Sequence, residues 1–205
     1  MDTTIAASTA ELVLHLVRHG ETAWNAERRF QTPEVPLSEN GRAQAEAVAA
    51  TLQKSTHADL ILASDYARTL ETAAIISERL RLPIVEEPAL RERNFGVARG
   101  QLYADIGEAK IAEWRDPHHR IEEGESWADV FVRVQAFLER LRASPPAREL
   151  ILVTHGGTMN VAMSIVAGGT IDAFKLAPLE NCAVRTLVLP IEDQVSQDVQ
   201  AAPER

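Results

Sequence analysis

The chain has 205 residues, of which 45% are hydrophobic and 25% are charged, a composition that is ordinary for a globular protein. The formal net charge of −9 excludes a nucleic-acid binder that works through a broad basic surface. The single cysteine, Cys182, excludes a disulfide framework within the chain and a zinc site built on cysteines. We interpret Cys182 as a small buried residue near a strand.

Composition along the chain predicts one domain, residues 11–190, between two flexible termini. Residues 1–10 are small and polar, and residues 191–205 are rich in Gln, Asp and Glu. The first residues lack the basic segment of a secretory signal, so we expect a cytoplasmic protein. The uncharged stretch 151–171 contains His155 and several Gly and Thr residues, which makes it too polar to face lipid. We therefore expect no membrane partner.

Short apolar runs alternate with helical patterns along the predicted domain. Continuous apolar runs are typical of strands buried on both faces of a parallel sheet, and apolar residues at helical spacing indicate helices that bury one face. Ser38 is a suitable N-cap for the first helix. In chain order we predict strand 12–17, helix 43–52, strand 60–63, helices 66–80 and 127–141, strand 150–153, helix 158–167 and strand 184–189. This alternation predicts an α/β three-layer sandwich, with helices on both faces of a mainly parallel central sheet.

Charged or polar residues follow three of the predicted strands. Arg18 and His19 end the first, Arg68 lies just after the strand at 60–63, and His155 and Gly156 follow the strand at 150–153. In such folds the active site lies at the carboxyl ends of the strands, so neighbouring strands would bring these groups into one crevice. Each residue alone favours a structural role, but a cluster of cationic groups needs an anion to neutralise it. Arginine forks and backbone N–H groups at a helix start both suit a phosphoryl group.

The segment around His19 resembles the signature of the histidine phosphatase superfamily, the phosphoglycerate mutase-like group. It reads Leu16-Val17-Arg18-His19-Gly20-Glu21-Thr22-Ala23-Trp24-Asn25. Five further segments resemble later blocks of that family in the same order: residues 36–45, 64–72, 90–96, 124–133 and 153–157. A bare Arg-His-Gly is a weak motif, whereas six blocks in the family's order are specific. The resemblance spans about residues 12–189 and implies a phosphoglycerate mutase-like fold.

The resemblance also implies the catalytic chemistry. His19 would be the nucleophile that takes the phosphoryl group on a ring nitrogen, and it must be neutral to attack. Glu92 would protonate the leaving oxygen and later deprotonate the attacking water. Taken by itself, Glu92 would favour another interpretation, a surface carboxylate paired with Arg91 or Arg93.

The phosphate-binding residues follow from the same resemblance. Arg18, Arg68 and His155 would bind the phosphoryl oxygens and stabilise the transition state. Asn25 and the backbone N–H of Gly156 would add donors. Because the pocket supplies the positive charge itself, we expect no metal and no cofactor. The spacing of His15 and His19 on a strand suggests a metal pair, but no third ligand is near in the sequence.

The sequence departs from the family pattern at loops around this pocket. Thr32-Pro33 stands where the family commonly has Gly, and the stretch 31–36 is one residue short. Arg99-Gly100 stands where the family commonly has Glu-Gly, and Glu123 replaces another common Gly. Substrate contacts from these loops are therefore not carried over. Trp24 and Trp114 fit either packing or the pocket rim.

Three activities agree with these observations. We favour a metal-independent phosphomonoester phosphatase that acts on a small phosphorylated metabolite through a phosphohistidine. Only about thirty residues separate Glu92 from Gly124, whereas mutases of the family have an inserted segment that helps to exclude water. The alternatives are a cofactor-dependent phosphoglycerate mutase and a non-catalytic phosphate- or phosphopeptide-binding module. The expected partner is a small phosphomonoester, and the oligomeric state stays open, a homodimer included.

Overall fold

A five-stranded sheet forms the middle layer of the fold in a computed structural model that describes residues 10–191. The strands are β1 (Ala10–Arg18), β2 (Leu60–Ala63), β3 (Ile84–Glu86), β4 (Glu149–Thr154) and β5 (Val184–Ile191). Their order across the sheet is β3-β2-β4-β1-β5, and β5 alone of these five runs antiparallel to its neighbour. The prediction of a mainly parallel sheet is confirmed.

Helices connect these strands and cover both faces of the sheet. The α-helices are α1 (Ala23–Ala26), α2 (Glu39–Ser55), α3 (Ala67–Leu80), α4 (Tyr103–Ile106), α5 (Glu108–Glu113), α6 (Trp127–Ala143) and α7 (Gly156–Val166). Short 3-10 turns lie at Pro88–Leu90, Gly96–Ala98 and Ile171–Ala173. Ser38 caps α2 as predicted, because its hydroxyl accepts a hydrogen bond from the backbone N–H of Gly41.

Alternation along the strands divides the interior into two apolar layers. Leu12, Leu14 and Leu16 point to one face and pack with α6 and α7, whereas Val17 and Val153 belong to the layer that packs against α2 and α3. Successive side chains of a strand point to opposite faces, which is why a continuous apolar run satisfies both layers at once. The predicted three-layer α/β sandwich is therefore confirmed.

Strand β3 and the helices α4 and α5 are among the parts of the structure that lie outside the predicted elements. Strand β3 is a three-residue edge strand whose side chains are half-buried or exposed. It therefore lacks the continuous apolar run by which the other strands are predicted. The helices α4 and α5 are too short to show a helical period in the sequence. Both parts depend on tertiary packing rather than on local pattern.

The termini predicted to be flexible, 1–10 and 191–205, lie outside the described residues except for Ala10 and Ile191. These two residues face each other at the end of the β1–β5 pair, so their backbones belong to the sheet. The uncharged stretch 151–171 supplies most of β4 and all of the buried helix α7. No helix within residues 10–191 combines the length and the apolar character needed to cross a bilayer.

A third, smaller apolar cluster lies apart from the two sheet layers. It consists of Phe30, Ala98, Trp114 and Ile121. The Trp114 ring packs against Phe30 with centroids 5.6 Å apart, so Trp114 is a packing residue. Because Phe30 follows α1 and the other members lie between residues 98 and 121, this cluster joins the loop after α1 to the segment that contains α4 and α5. An isolated β-bridge between Arg29 and Leu102 links the same two segments.

The turn that follows β1 is held directly against the start of α2. A Cβ on Gly20 would lie 2.4 Å from the carbonyl oxygen of Gly41, and a Cβ on Gly41 would lie 2.0 Å from that of Glu21. The Ser38 N–H and hydroxyl both donate to the Glu21 carbonyl oxygen, at 2.8 and 3.2 Å. The backbone of the turn around Gly20 is therefore fixed by close contact that only glycine permits.

We predict that Gly41→Ala destabilises the protein by about 1–3 kcal/mol, because the added methyl has no space between two backbones. Urea unfolding measures this loss. Asn40→Ala is the control, since Asn40 is exposed in the same turn of α2 and its replacement should change stability by less than about 0.5 kcal/mol. Equal stability of the two variants would show that the turn has room to relax.

Candidate active site

The sheet register brings the polar residues after three neighbouring strands together. Arg18 pairs with Thr154 at the ends of β1 and β4, and Ala63 pairs with Val153 at the ends of β2 and β4. A cavity of about 530 Å³ opens at this edge. All seven site residues predicted from the sequence line it: Arg18, His19, Asn25, Arg68, Glu92, His155 and Gly156.

His19 is buried at the bottom of this cavity, with only 3% of its surface exposed. Its Nδ1 lies 2.7 Å from the Gly20 carbonyl oxygen, so Nδ1 carries the proton and donates it there. The lone pair is then on Nε2, which accepts a hydrogen bond from the Nε–H of Arg68 at 3.3 Å. Burial, followed by the charges of Arg68 and Arg18, lowers the pKa of His19 well below its usual value. A neutral ring with an unprotonated Nε2 is the form that a nucleophile requires.

His155 is fully buried beside His19, with ring centroids 5.2 Å apart. Its Nδ1 lies 3.3 Å from the Nη2 of Arg68, and its Nε2 lies 3.0 Å from the Ser64 hydroxyl oxygen. Burial and the nearby Arg68 also lower the pKa of His155 well below its usual value. Two neutral histidines and two guanidinium groups therefore meet here, and the neutral state of His19 is the one that its expected role requires.

Arg68 connects both histidines with the loop after α1. Only 2% of its surface is exposed, and its Nη1 donates to the Thr32 carbonyl oxygen at 2.9 Å. Burial lowers the pKa of Arg68 to about 10, so the guanidinium keeps its charge at neutral pH. A cation desolvated in this way gains strongly from a phosphoryl anion.

Arg18 lies across the cavity from Arg68 and has a donor to spare. Its Nη1 donates to the Leu179 carbonyl oxygen. Its buried Nε has no hydrogen-bond partner among the described residues, and the position of a Cβ on Gly156 would be 3.5 Å from that atom. Burial lowers the pKa of Arg18. A buried N–H without an acceptor is costly unless a ligand supplies one.

Asn25 and Gly156 add neutral donors to the same cavity. The Oδ1 of Asn25 accepts from the N–H and hydroxyl of Thr22 at 3.1 Å each, which fixes the amide and leaves Nδ2 as its donor end. Gly156 is the first residue of α7, where backbone N–H groups and the positive end of the helix dipole favour an anion.

Glu92 is held by backbone rather than by an ion pair. Its Oε1 accepts from the Arg93 N–H and its Oε2 accepts from the Gly157 N–H, each at 3.0 Å. Arg91 instead pairs with Asp65, so the surface ion pair considered for Glu92 is not formed. A Cβ on Gly157 would lie 2.4 Å from Oε1, so glycine at this position allows the carboxylate to reach the start of α7.

Arg93 stabilises the segment that carries Glu92. Its guanidinium is buried and donates to three backbone carbonyl oxygens, those of Glu125, Trp114 and His119, at 2.7 to 2.9 Å. It also lies over the Trp127 ring at 5.0 Å, and burial lowers its pKa to about 10. Arg93 therefore joins the segment that carries Glu92 to the connection between α5 and α6.

Sequence reasoning assigned no role to Arg93, Ser64 or Tyr66. Ser64 and Tyr66 follow a predicted strand, which was a signal for a position near the site. The sequence places Arg93 in the block 90–96 but does not indicate its contacts, because its acceptors are backbone atoms 21 to 32 residues further along the chain. Leu179, which accepts from Arg18, lies in a loop that carries no motif.

The remaining candidates have structural roles. His15 lies 3.0 Å from the Thr186 hydroxyl and 2.8 Å from Glu149, which explains its burial. No cluster of three or more His, Cys, Asp or Glu side chains suited to a metal is found within residues 10–191. Trp24 lines a separate shallow groove beneath Arg29. Cys182 lies just before β5, near a strand as interpreted, but it is half-buried rather than buried, and its burial raises its pKa to about 12.

Comparisons with known proteins point to one family. A family model described as histidine phosphatase superfamily (branch 1) matches residues 14–199. A Proteus mirabilis protein named "Probable phosphoglycerate mutase GpmB" is 36% identical over 180 residues, which cover 84% of this chain and 83% of that protein. The Escherichia coli O139:H28 protein of the same name is 37% identical with the same coverage.

Solved structures agree with the sequence relatives on the fold. A mycobacterial glucosyl-3-phosphoglycerate phosphatase superimposes with a TM-score of 0.77 at 30% identity, and the match covers 87% of this chain and 90% of that one. The same phosphatase has also been solved with VO3 and with inorganic phosphate. Bacillus stearothermophilus YhfR has a TM-score of 0.76 at 28% identity, covering 85% of this chain and 90% of that one.

We predict that the protein loses stability as the pH falls below about 6.5, the ordinary histidine pKa. The unfolded chain takes up protons there on His19 and His155, whereas the folded chain resists because both pKa values are lowered. The free energy of unfolding should rise with pH by up to about 1.4 kcal/mol per pH unit for each histidine, then level off near neutrality. Urea unfolding between pH 5 and 7.5, in buffer without phosphate or sulfate, measures the slope.

Single variants assign that slope. His19→Gln and His155→Gln should each lower the slope by the amount that corresponds to one proton taken up on unfolding, about 1.4 kcal/mol per pH unit at most. His118→Gln is the control, because His118 is fully exposed and its hydrogen bond to Asp172 raises its pKa. The stability that the His118–Asp172 pair contributes is present at low pH and is lost as the pH rises. Its pH dependence is therefore opposite in sign to that of His19 and His155. A slope that neither buried variant changes would contradict the neutral state of the two histidines.

Proposed function

Since the chain belongs to the histidine phosphatase superfamily, we propose that it is a metal-independent phosphatase that hydrolyses a small phosphomonoester through a phosphohistidine. The observation that carries this proposal is a buried, neutral His19 whose unprotonated Nε2 accepts from Arg68 in a cavity that Arg18 and the start of α7 also line. Members of the superfamily are phosphatases and mutases, so the choice between these depends on what receives the phosphoryl group.

In the first step, the Nε2 of His19 attacks the phosphorus of the ester. The N–P bond forms while the bond from phosphorus to the alcohol oxygen breaks, and that oxygen takes a proton from the Glu92 carboxyl. Arg18 and Arg68 bind the phosphoryl oxygens and oppose the charge that develops there. The alcohol leaves, and Glu92 remains as a carboxylate.

In the second step, a water molecule attacks the phosphohistidine. Glu92 takes a proton from this water as the new P–O bond forms and the N–P bond breaks. Inorganic phosphate is released, His19 is neutral again, and Glu92 again holds the proton. No further reactant is needed, because the water supplies both the oxygen and the proton.

His155 has a role distinct from that of His19 in this scheme. Its Nδ1 is directed at Arg68 and its Nε2 at Ser64, so it holds the Arg68 guanidinium in position. The phosphoryl dianion favours protonation of a neighbouring imidazole, but His155 would donate from Nδ1 to a phosphoryl oxygen only after Arg68 releases that nitrogen. The backbone N–H of Gly156 and the Asn25 amide complete the donors.

The chain itself supports hydrolysis over transfer back to the substrate. The segment between Glu92 and α6 holds the 3-10 turn Gly96–Ala98, the short helices α4 and α5 and most of a small apolar cluster, which together exclude water less well than a long insertion would. The phosphatase neighbours agree with this choice. The relatives named as probable mutases favour the alternative, a cofactor-dependent phosphoglycerate mutase.

We predict that Glu92→Gln lowers kcat/KM for an alkyl phosphate by about 100-fold or more. The loss for 4-nitrophenyl phosphate should be smaller than that loss by a factor of at least about ten. The alkoxide is a poor leaving group and needs the proton, whereas 4-nitrophenolate does not. Phosphate release measures both rates. Glu122→Gln is the matched control on an exposed carboxylate outside the cavity, and His19→Ala gives the inactive baseline. Equal losses on both esters would contradict an acid role for Glu92.

The activity itself is tested with 3-phosphoglycerate, a trace of 2,3-bisphosphoglycerate and a panel of phosphomonoesters. We expect free phosphate from the panel at rates above any interconversion of phosphoglycerates. A chelator should leave these rates unchanged, because the guanidinium groups supply the positive charge. Rapid interconversion with little free phosphate would establish the mutase, and binding without turnover would establish the non-catalytic module.

A further inference from the structure

Arg99 lies at the wall between the phosphate cavity and a second cavity of about 690 Å³. The side chain is half-buried, and its Nη2 donates to the Tyr66 hydroxyl oxygen at 3.0 Å. It has no place in the mechanism above. A guanidinium on a neutral phenol retains most of its donors and its whole charge for another ligand.

The other arginines of the second cavity are already neutralised. Arg91 pairs with Asp65, Arg133 with Glu125 and Arg140 with Glu87. Arg99, by contrast, forms no ion pair with any residue within 10–191. The pKa of Glu34 is lowered, mainly by hydrogen bonds from its own backbone and from Thr32 and to a smaller extent by the charge of Arg99. The Glu34 carboxylate nevertheless makes no ion pair with Arg99.

Tyr66 links this arginine to the phosphate cavity. Its ring packs edge-on to His155 with centroids 5.2 Å apart, and the Arg68 guanidinium lies 5.1 Å from the ring centroid. The phenol therefore extends from the phosphoryl-binding groups toward Arg99. Burial raises the pKa of Tyr66, so its hydroxyl keeps its proton, and no acceptor for that proton is found in the described part of the chain.

We propose that Arg99 and the Tyr66 hydroxyl form a second anion subsite, which selects phosphomonoesters that carry a carboxylate or a second phosphate away from the reacting ester. The inference rests on the proposed function, because it concerns the substrate of the same cavity. One O–H donor and one guanidinium that forms no ion pair within residues 10–191, both on the wall beyond His155, suit an oxyanion.

Two of the three loops that depart from the family pattern, those of Pro33 and Arg99, meet at this subsite. The backbone N–H of Ala67, next to Tyr66, donates to the Pro33 carbonyl oxygen at 2.9 Å. Arg99 itself replaces the common Glu, which reverses the charge at this wall. The departures therefore change the region where the remote part of a substrate would lie, and leave the phosphoryl-binding groups in place.

Matched aryl phosphates test the subsite. The probes are 3- and 4-carboxyphenyl phosphate, their uncharged carbamoyl counterparts, and 1,4-phenylene bisphosphate. We expect kcat/KM for the best anionic probe to exceed that of its carbamoyl counterpart by about tenfold, as expected of a charge-assisted hydrogen bond. Arg99→Gln should bring this ratio close to one and change the rate on the carbamoyl ester by less than about threefold.

Arg28→Gln is the matched control. Arg28 also lines the phosphate cavity and lacks an ion pair within the described residues, but it is exposed beside Tyr103 rather than held by Tyr66. Its removal takes the same charge from the cavity, so a general electrostatic effect would lower the ratio equally. The proposal requires the ratio to survive in Arg28→Gln and to vanish in Arg99→Gln.

The outcomes separate this proposal from the proposed function. If the wild type prefers neither the carboxylate nor the bisphosphate, or if Arg28→Gln loses the preference equally, the subsite is wrong while the phosphatase stands. If no probe is hydrolysed, calorimetric titration of the same probes decides. Tighter binding of an anionic probe that Arg99→Gln abolishes supports the subsite without the phosphatase, and equal binding of charged and uncharged probes overturns it.

Discussion

Two guanidinium groups held out of water beside two neutral imidazoles are the constraint on which the site depends. Burial works against charge at all four groups, and the imidazoles respond by staying neutral while the guanidiniums stay charged. The result is a compact positive pocket in a chain whose net charge is −9. The overall charge therefore describes the surface, and the sign that a ligand meets is set by a few desolvated side chains.

The fold produces this pocket through one property of parallel sheets. Strands β1, β2 and β4 point the same way, so the residues that follow them lie side by side although they are far apart in the chain. The glycine contact between the turn after β1 and the start of α2 then fixes the backbone that presents His19. The buried carbonyl contacts of Arg93 do the same for Glu92 from the opposite wall.

The parts of the molecule that the sequence predicts are those with a local signature. Apolar runs predict the strands that carry Arg18 and His155, and Ser38 marks the start of α2. The family resemblance adds Glu92, which its neighbours alone would have placed on the surface. By contrast, the contacts of Arg93, Ser64 and Tyr66 depend on which loops meet in space, and no periodic pattern records that. Even the neutral state of the histidines depends on a burial that the sequence does not express.

The small apolar cluster around Trp114 has a consequence for how the protein moves and changes. It shares no residue with the two sheet layers, and α4 and α5 are too short to persist without it. The segment between Phe95 and Ile121 therefore forms a unit that opens at a lower free energy than the sheet unfolds. Its amide protons should exchange as a group ahead of those of β1 and β4. Substitutions in this unit change the wall that faces the remote part of a substrate. Because the unit is separate from the sheet, such substitutions can accumulate while the sheet that holds the reacting groups keeps its stability.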